Sequence, residues 1–123
     1  MIQTTPAGKT LMLKAVTDTL KTLHLFVNEG ELKGYSYGPA VLDPEQWDDG
    51  VYPDVLWEFS GGDEPARVMG YYVTNDEGAV MYSENFPASE ENEDDQPGFV
   101  IGKQGDRVRV GMRLNLFVAQ DNG

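Results

Sequence analysis

The alternation of apolar and polar residues near the C-terminus constrains the fold more than any other feature of the chain. Across residues 105–119, apolar side chains take every second position. They are Val108, Val110, Met112, Leu114, Leu116 and Val118. Arg107, Arg109 and Arg113 fall between them, so an extended backbone sends these arginines to the opposite face, whereas a helix would bury unpaired charge. The segment is therefore predicted to be one long, half-buried β-strand.

Other β-rich runs supply partners for this strand. They lie at 22–28, 35–42, 54–60, 66–74, 78–86 and 99–101. Gly38 and Pro39 interrupt the second run, which is typical of an edge or bulged strand. The residues of 75–78 suit a tight reversal, so 66–74 and 78–86 are predicted to form a hairpin.

The N-terminal part of the chain has a different period. From 9 to 20, Leu11, Met12, Ala15 and Val16 recur at helical spacing, which predicts a short amphipathic helix. A strand through Leu11 and Leu13 is the alternative, because Thr and Val weaken the helical preference. Residues 1–8 have little to bury and are predicted to be an extended arm, and 120–123 a frayed tail.

These patterns predict a mainly β protein, an antiparallel β-sandwich that could be jelly-roll-like, with one short N-terminal helix. The 123 residues suit a single domain, which we expect to span 9–119. The chain has no cysteine, so disulfides and thiolate metal sites are excluded.

The charge balance narrows the choice of partners. Twenty-one acidic residues stand against 9 basic ones, giving a formal charge of −12 and a pI of about 4.2. Such a surface makes binding to a phosphate backbone unfavourable, so nucleic acid is not an expected partner. No apolar run approaches the roughly 20 residues of a membrane helix, and we expect a soluble protein made in the cytosol.

No catalytic signature is present, and the chain is not predicted to be an enzyme. The only histidine, His24, lies opposite an apolar row and is interpreted as a surface or interface residue. Ser36 lies in the sequence Gly34-Tyr-Ser-Tyr-Gly38, which matches Gly-x-Ser-x-Gly, but this run is predicted to be an edge or bulged strand and not the strand-to-helix turn of a nucleophile elbow. Hydrolysis by two carboxylates stays open as a third hypothesis, but so many acids are present that no pair stands out.

Two further segments raise the question of a ligand. The acidic loop at 89–96 could attract calcium, but its spacing differs from an EF-hand loop, so it is interpreted as a solvated loop and no metal or cofactor is predicted. The irregular segment 43–53 carries Trp47 and Tyr52, which are expected to plug one end of the core. Their alternative role is a ligand site.

The arginines of the long strand have two interpretations. Arg107, Arg109 and Arg113 could dock on an acidic patch of a partner, or they could pair with Glu58 or Glu84 across the sheet.

Several segments resemble a family of small virion proteins of tailed bacteriophages. They are LHLFVN at 23–28, GY at 34–35, YP at 52–53, VMGYYVT at 68–74, VMYSENF at 80–86 and GDRVRV at 105–110. The resemblance implies a β-sandwich that decorates or cements the outside of the capsid, and it carries no catalytic residues.

The function expected on this basis is that of a capsid decoration protein. It would bind the major capsid protein on the outer surface of the virion and form a homo-oligomer, a trimer or a dimer. The residues expected to contact the capsid or another subunit are Ile2, Thr4, Pro6, Tyr35, Tyr37, Arg107, Arg109 and Arg113. The alternative is a tail- or fibre-associated β-domain that binds a host surface glycan through Trp47, Tyr52 and neighbouring acids.

Overall fold

The computed structural model describes residues 5–87 and 97–114, which form one helix and nine strands. Helix α1 is Pro6–Thr17. The strands are β1 Thr22–Val27, β2 Gly30–Glu31, β3 Ala40–Val41, β4 Val51–Glu58, β5 Ala66–Val68, β6 Gly70–Thr74, β7 Val80–Asn85, β8 Phe99–Ile101 and β9 Arg107–Arg113. Within these ranges, no helix is long and apolar enough to cross a membrane.

Helix α1 begins three residues before the predicted start at Lys9. The Thr5 side chain accepts a hydrogen bond from the Gly8 backbone N–H, and Pro6 occupies the first turn, where its missing N–H costs nothing. The prediction of an extended arm over 1–8 is therefore wrong from Pro6 onward. The helix also ends at Thr17, three residues before the predicted end.

The largest sheet has the order β2-β1-β6-β7, with β3 also paired to β1, and all of its pairings are antiparallel. The predicted alternation of β1 is confirmed. Leu23 and Leu25 are fully buried, whereas His24 and Phe26 lie on the opposite face.

Two antiparallel ribbons complete the fold, β4 with β9 and β5 with β8. In β9, Val108, Val110 and Met112 are buried and the arginines between them are exposed, as predicted. The last five residues of the long strand predicted over 105–119 lie outside the described residues.

The segment 35–42 is a strand only at β3. Tyr35 and Ser36 have φ angles of 59° and 60°, a left-handed conformation that disfavours a strand. Tyr35 is held there because its ring covers Gly62 and its hydroxyl donates to the Glu64 carbonyl oxygen. The tertiary contacts of one aromatic side chain therefore override the local β preference.

The predicted hairpin is confirmed at its turn but divided in its first arm. The Asn75 side chain accepts from the backbone N–H groups of Glu77 and Ala79, which closes the turn between β6 and β7. The chain leaves one sheet for another at Met69, so Val68 pairs with Phe99 and not with β7.

The buried apolar side chains of all three sheets form one cluster. Leu23 and Val73 come from the large sheet, Trp57 and Val110 from the β4–β9 ribbon, and Ile101 from the β5–β8 ribbon. The protein is thus mainly β and sandwich-like, with antiparallel strands and one N-terminal helix, in agreement with the predicted fold class.

Candidate binding sites

A groove of about 530 Å³ lies between α1 and the loop of residues 44–50, and we call it the α1 groove. One face of the helix and the loop line this groove. These residues are Thr10, Leu13, Lys14, Thr17, Pro44, Glu45, Trp47, Asp48, Asp49 and Gly50. On the helix side, spacings of three and four residues bring the lining residues to one face.

The loop side of the α1 groove is built by two local motifs. Asp43 caps the 3-10 turn Pro44–Gln46 by accepting a hydrogen bond from the Glu45 backbone N–H. Asp48 and Val51 then exchange two backbone hydrogen bonds of 2.9 Å around Asp49 and Gly50, which both have positive φ. This is the geometry of a type I′ reversal, for which Asp-Gly is a preferred dipeptide.

Trp47 and Tyr52 partly fulfil the predicted role of a core plug. Tyr52 is buried, its hydroxyl accepts from the Asp43 backbone N–H at 2.9 Å, and Trp47 packs edge-on against it at a centroid distance of 5.1 Å. However, Trp47 Nε1 is a buried donor without a hydrogen-bond partner among residues 5–87 and 97–114. Trp47 therefore contributes both to the packing and to the wall of the groove.

The opposite side of α1 is an uncovered apolar face. Leu11, Met12 and Val16 are 70%, 49% and 39% exposed, whereas Leu13 and Thr17 are buried against the domain. Lys9 and Lys14 are the only charged residues within the helix, so this face lies on a basic element of an acidic protein.

The three arginines of β9 share the exposed face of the β4–β9 ribbon, as predicted. Arg107 pairs with Glu58 at 3.3 Å, and Arg109 Nε lies 4.0 Å from Asp54. Both pairs are exposed and worth about 0–1 kcal/mol. Arg113 makes no ion pair with any residue that the structure describes. Pairing across the ribbon is thus present for Arg107 and Glu58.

The other proposed partner of the arginines, Glu84, is engaged elsewhere. Its carboxylate accepts from the Tyr71 hydroxyl at 2.6 Å. Burial and this hydrogen bond raise the pKa of the Tyr71 hydroxyl above its ordinary value.

His24 belongs to a hydrogen-bonded network on the outer face of the large sheet that the sequence did not reveal. Its Nδ1 lies 2.7 Å from the Glu31 carboxylate, and its Nε2 lies 2.9 Å from the Thr74 hydroxyl. A carboxylate only accepts, so in the neutral imidazole Nδ1–H donates to Glu31 and the Thr74 hydroxyl donates to Nε2. The hydroxyl–imidazole–carboxylate order is that of a catalytic triad.

We assign a structural role to this network. Thr74 is only 7% exposed, and neither Thr74 nor His24 lines the α1 groove or two other cavities formed by described residues. The network instead ties β2 and the end of β6 to β1. Burial raises the pKa of Glu31, but the hydrogen bonds from His24 and Tyr37 outweigh it and hold the pKa below its ordinary value.

The two tyrosines proposed as contact residues are used inside the domain. The Tyr37 hydroxyl accepts from the Leu25 backbone N–H at 3.0 Å and donates to Glu31 at 2.7 Å. It fills the gap on the edge of β1 between β2 and β3. Tyr35 packs on Gly62, as described above.

Of the remaining proposed contact residues, one lies within the described ranges and two lie outside them. Pro6 lies in the first turn of α1. Ile2 and Thr4 lie outside the described residues, as does the acidic loop 89–96. Across residues 5–87 and 97–114, no three His, Asp or Glu side chains converge closely enough to hold a metal ion.

The sequence contains one local signal for the α1 groove. Asp49-Gly50 is a strong hairpin dipeptide, and it lies between Trp47 and Tyr52. Thr10, Lys14 and Thr17 share the helix face that supplies the other wall, but only the packed structure shows that this face meets the loop.

Comparison with known proteins gave no relative: no family model, curated protein sequence or solved structure matches the chain.

Proposed function

We propose that the chain is a capsid decoration, or cement, protein of a tailed bacteriophage, which binds the outer surface of the head through its N-terminal segment. The partner would be the major capsid protein, and the protein would act as a homo-oligomer, a dimer or a trimer. Many copies with modest individual affinity would hold neighbouring capsid subunits together by multivalency.

The uncovered apolar face of α1 is the observation that carries this proposal. Exposed apolar patches often mark interaction sites, and amphipathic helices dock by laying their apolar face into a groove of another protein. In this chain Leu11, Met12 and Val16 form that face, and it directly follows the N-terminal residues.

The charge distribution also favours binding through α1. The chain carries a net charge of −12, but α1 contains two lysines and no acidic residue. Lys14 lies on the groove side, 3.5 Å from the Asp18 carboxylate, but the helix itself carries no acid and can approach an acidic capsid surface that repels the rest of the domain. The acidic body would then face solvent and keep decorated heads from associating with one another.

The sequence resemblance to small phage virion proteins supports the choice of a capsid as the partner. The segments that carry it include the buried strand β1 and both strands of the β6–β7 hairpin. They are elements of the scaffold, so the resemblance concerns the whole domain and not the docking face.

Co-sedimentation with undecorated heads of the tailed phage whose genome encodes the chain tests the proposal. We expect the wild type to sediment with the heads. The double variant Leu11→Asp/Val16→Asp should lose at least about tenfold in affinity, because the apolar contact would lose two of its side chains. Leu56→Asp is the matched control, because Leu56 is 48% exposed on the β4–β9 ribbon and should not affect binding. Absence of wild-type binding, or equal binding by all three proteins, would contradict the proposal.

A truncation test must respect the helix cap. Removing residues 1–8 would delete the first turn of α1 together with its Thr5 cap, whereas removing residues 1–4 leaves both in place. We expect the shorter deletion to weaken head binding while the urea unfolding midpoint stays unchanged.

A further inference from the structure

We infer that the α1 groove is a binding site for a neutral saccharide. This inference does not rest on the capsid proposal. The groove is lined by Thr10, Lys14 and Thr17, which lie on the opposite side of α1 from Leu11 and Val16. Docking through the apolar face would leave the groove open.

The size and the composition of the groove suit a small polar ligand. Its volume of about 530 Å³ falls within the roughly 300–1,000 Å³ of small-molecule sites. The carboxylates of Glu45, Asp48 and Asp49 offer hydrogen-bond acceptors, and the Lys14 ammonium and the hydroxyls of Thr10 and Thr17 offer donors.

This mixture of donors and acceptors argues against other classes of small ligand. An anion would be repelled by the three carboxylates. A metal ion needs converging ligands, and Glu45, Asp48 and Asp49 are not among any such group in the part of the chain that the structure describes. An organic cation would match the carboxylates but would be repelled by the Lys14 ammonium, which lines the same groove. A sugar hydroxyl both donates and accepts, so it can match both sets.

Trp47 is the residue on which the inference depends most. Its ring offers the amphipathic surface that polar ligands use. Its Nε1–H is buried and has no acceptor in the part of the chain that the structure describes, which is unfavourable. This N–H is sealed from solvent. A ligand hydroxyl can reach it only if the indole shifts, so binding should change the surroundings of Trp47.

The two tryptophans of the chain provide a direct readout. Trp57 is buried in the core, and its indole N–H donates to the Gly38 carbonyl oxygen at 2.9 Å. We would label the full-length protein with 5-fluorotryptophan and record ¹⁹F spectra during titration with neutral hexasaccharides of glucose, galactose, mannose and N-acetylglucosamine, each up to about 10 mM. We expect at least one sugar to shift the Trp47 resonance saturably while the Trp57 resonance stays unchanged.

Two substitutions test the site without disturbing its frame. Trp47→Phe keeps an aromatic ring but removes the N–H, and Asp49→Asn removes a charge at a left-handed position that Asn tolerates. We expect each to weaken sugar binding about tenfold, the value of one good hydrogen bond. Trp47→Phe has no fluorotryptophan at position 47, so its sugar binding would be followed by the amide resonances of the groove residues. Glu77→Gln, in the turn between β6 and β7, is the matched control and should bind within about twofold of wild type.

Three results would overturn the inference. They are no shift of Trp47 with any of the four sugars, a shift produced by spermidine but by no sugar, and sugar binding that survives both substitutions in proteins with wild-type urea midpoints. None of these results bears on sedimentation with heads, so the two proposals can fail separately.

Discussion

The imidazole of His24 lies flat against the ring of Tyr72, with their centroids 4.5 Å apart and their planes within 4° of parallel. The two residues are cross-strand partners on β1 and β6. Stacking holds the imidazole in the plane from which it reaches Glu31 on one side and Thr74 on the other. One aromatic contact thus orients the network that joins three strands.

Replacing His24 should destabilise the protein. In His24→Phe the ring can still stack on Tyr72, but both hydrogen bonds are lost and the buried Thr74 hydroxyl loses its acceptor. We expect the free energy of unfolding to fall by about 1–3 kcal/mol, measured by urea denaturation at neutral pH. A variant as stable as the wild type would show that the network does not hold the strands together.

Glu31 should make the protein sensitive to mild acid. Its pKa in the folded state lies below the ordinary value of 4.5, so its ionised form stabilises the fold above pH 4.5. That contribution is lost as the pH falls through the folded pKa. Between about pH 5 and pH 3, the unfolding free energy of the wild type should therefore decrease more steeply than that of Glu31→Gln. Parallel pH profiles for the two proteins would contradict this assignment, and Glu77→Gln serves as the control for the general loss of a carboxylate.

The same substitution at the two tryptophans should have different effects. Trp57→Phe removes a donor that is bonded to the Gly38 carbonyl oxygen and opens space in the core, so it should cost about 1–3 kcal/mol. Trp47→Phe gives up some packing on Tyr52 but removes a buried donor that has no partner among the described residues, so the unfolding free energy should fall by less than in Trp57→Phe. Equal losses in the two variants, measured by urea denaturation without ligand, would show that the Trp47 N–H is satisfied in solution.

Two glycines with nearly the same backbone angle should respond differently to alanine. Gly50 and Gly78 have φ of 81° and 80°, so each substitution incurs the left-handed penalty of about 1–2 kcal/mol. A methyl group at Gly78 meets nothing within 4 Å, whereas at Gly50 it collides with the Leu114 carbonyl oxygen. We expect Gly50→Ala to be less stable than Gly78→Ala by about 1–3 kcal/mol in thermal or urea unfolding. Similar losses would mean that the loop and the end of β9 can separate at little cost.

The predictions that succeeded rest on short-range patterns. Alternation in β1 and β9 selected the buried faces because neighbouring residues on a strand must point in opposite directions. The turn at 75–78 was recognisable because Asn75 can close it with its own side chain. The helix was recognisable from its period, but the apolar period does not mark its start, which the Thr5 cap and Pro6 determine.

The features that could not be predicted depend on partners distant in sequence. His24 is separated from Thr74 by 50 residues, and Tyr35 from Glu64 by 29. Residues 35–42 have strand-forming composition, yet the docking of Tyr35 on Gly62 fixes a left-handed turn there. The α1 groove likewise exists only because the helix packs beside the loop of residues 44–50.

The sequence by itself determined the fold class, the apolar faces of the strands and the strongly acidic surface, because period and composition act locally or as sums over the chain. The tertiary structure decided which strands pair, where the chain changes sheets and which helix face stays uncovered. It also decided that Trp47, Asp49 and Lys14 line one groove. These outcomes depend on long-range packing, in which each side chain takes the contact that buries it best among all those the folded chain offers.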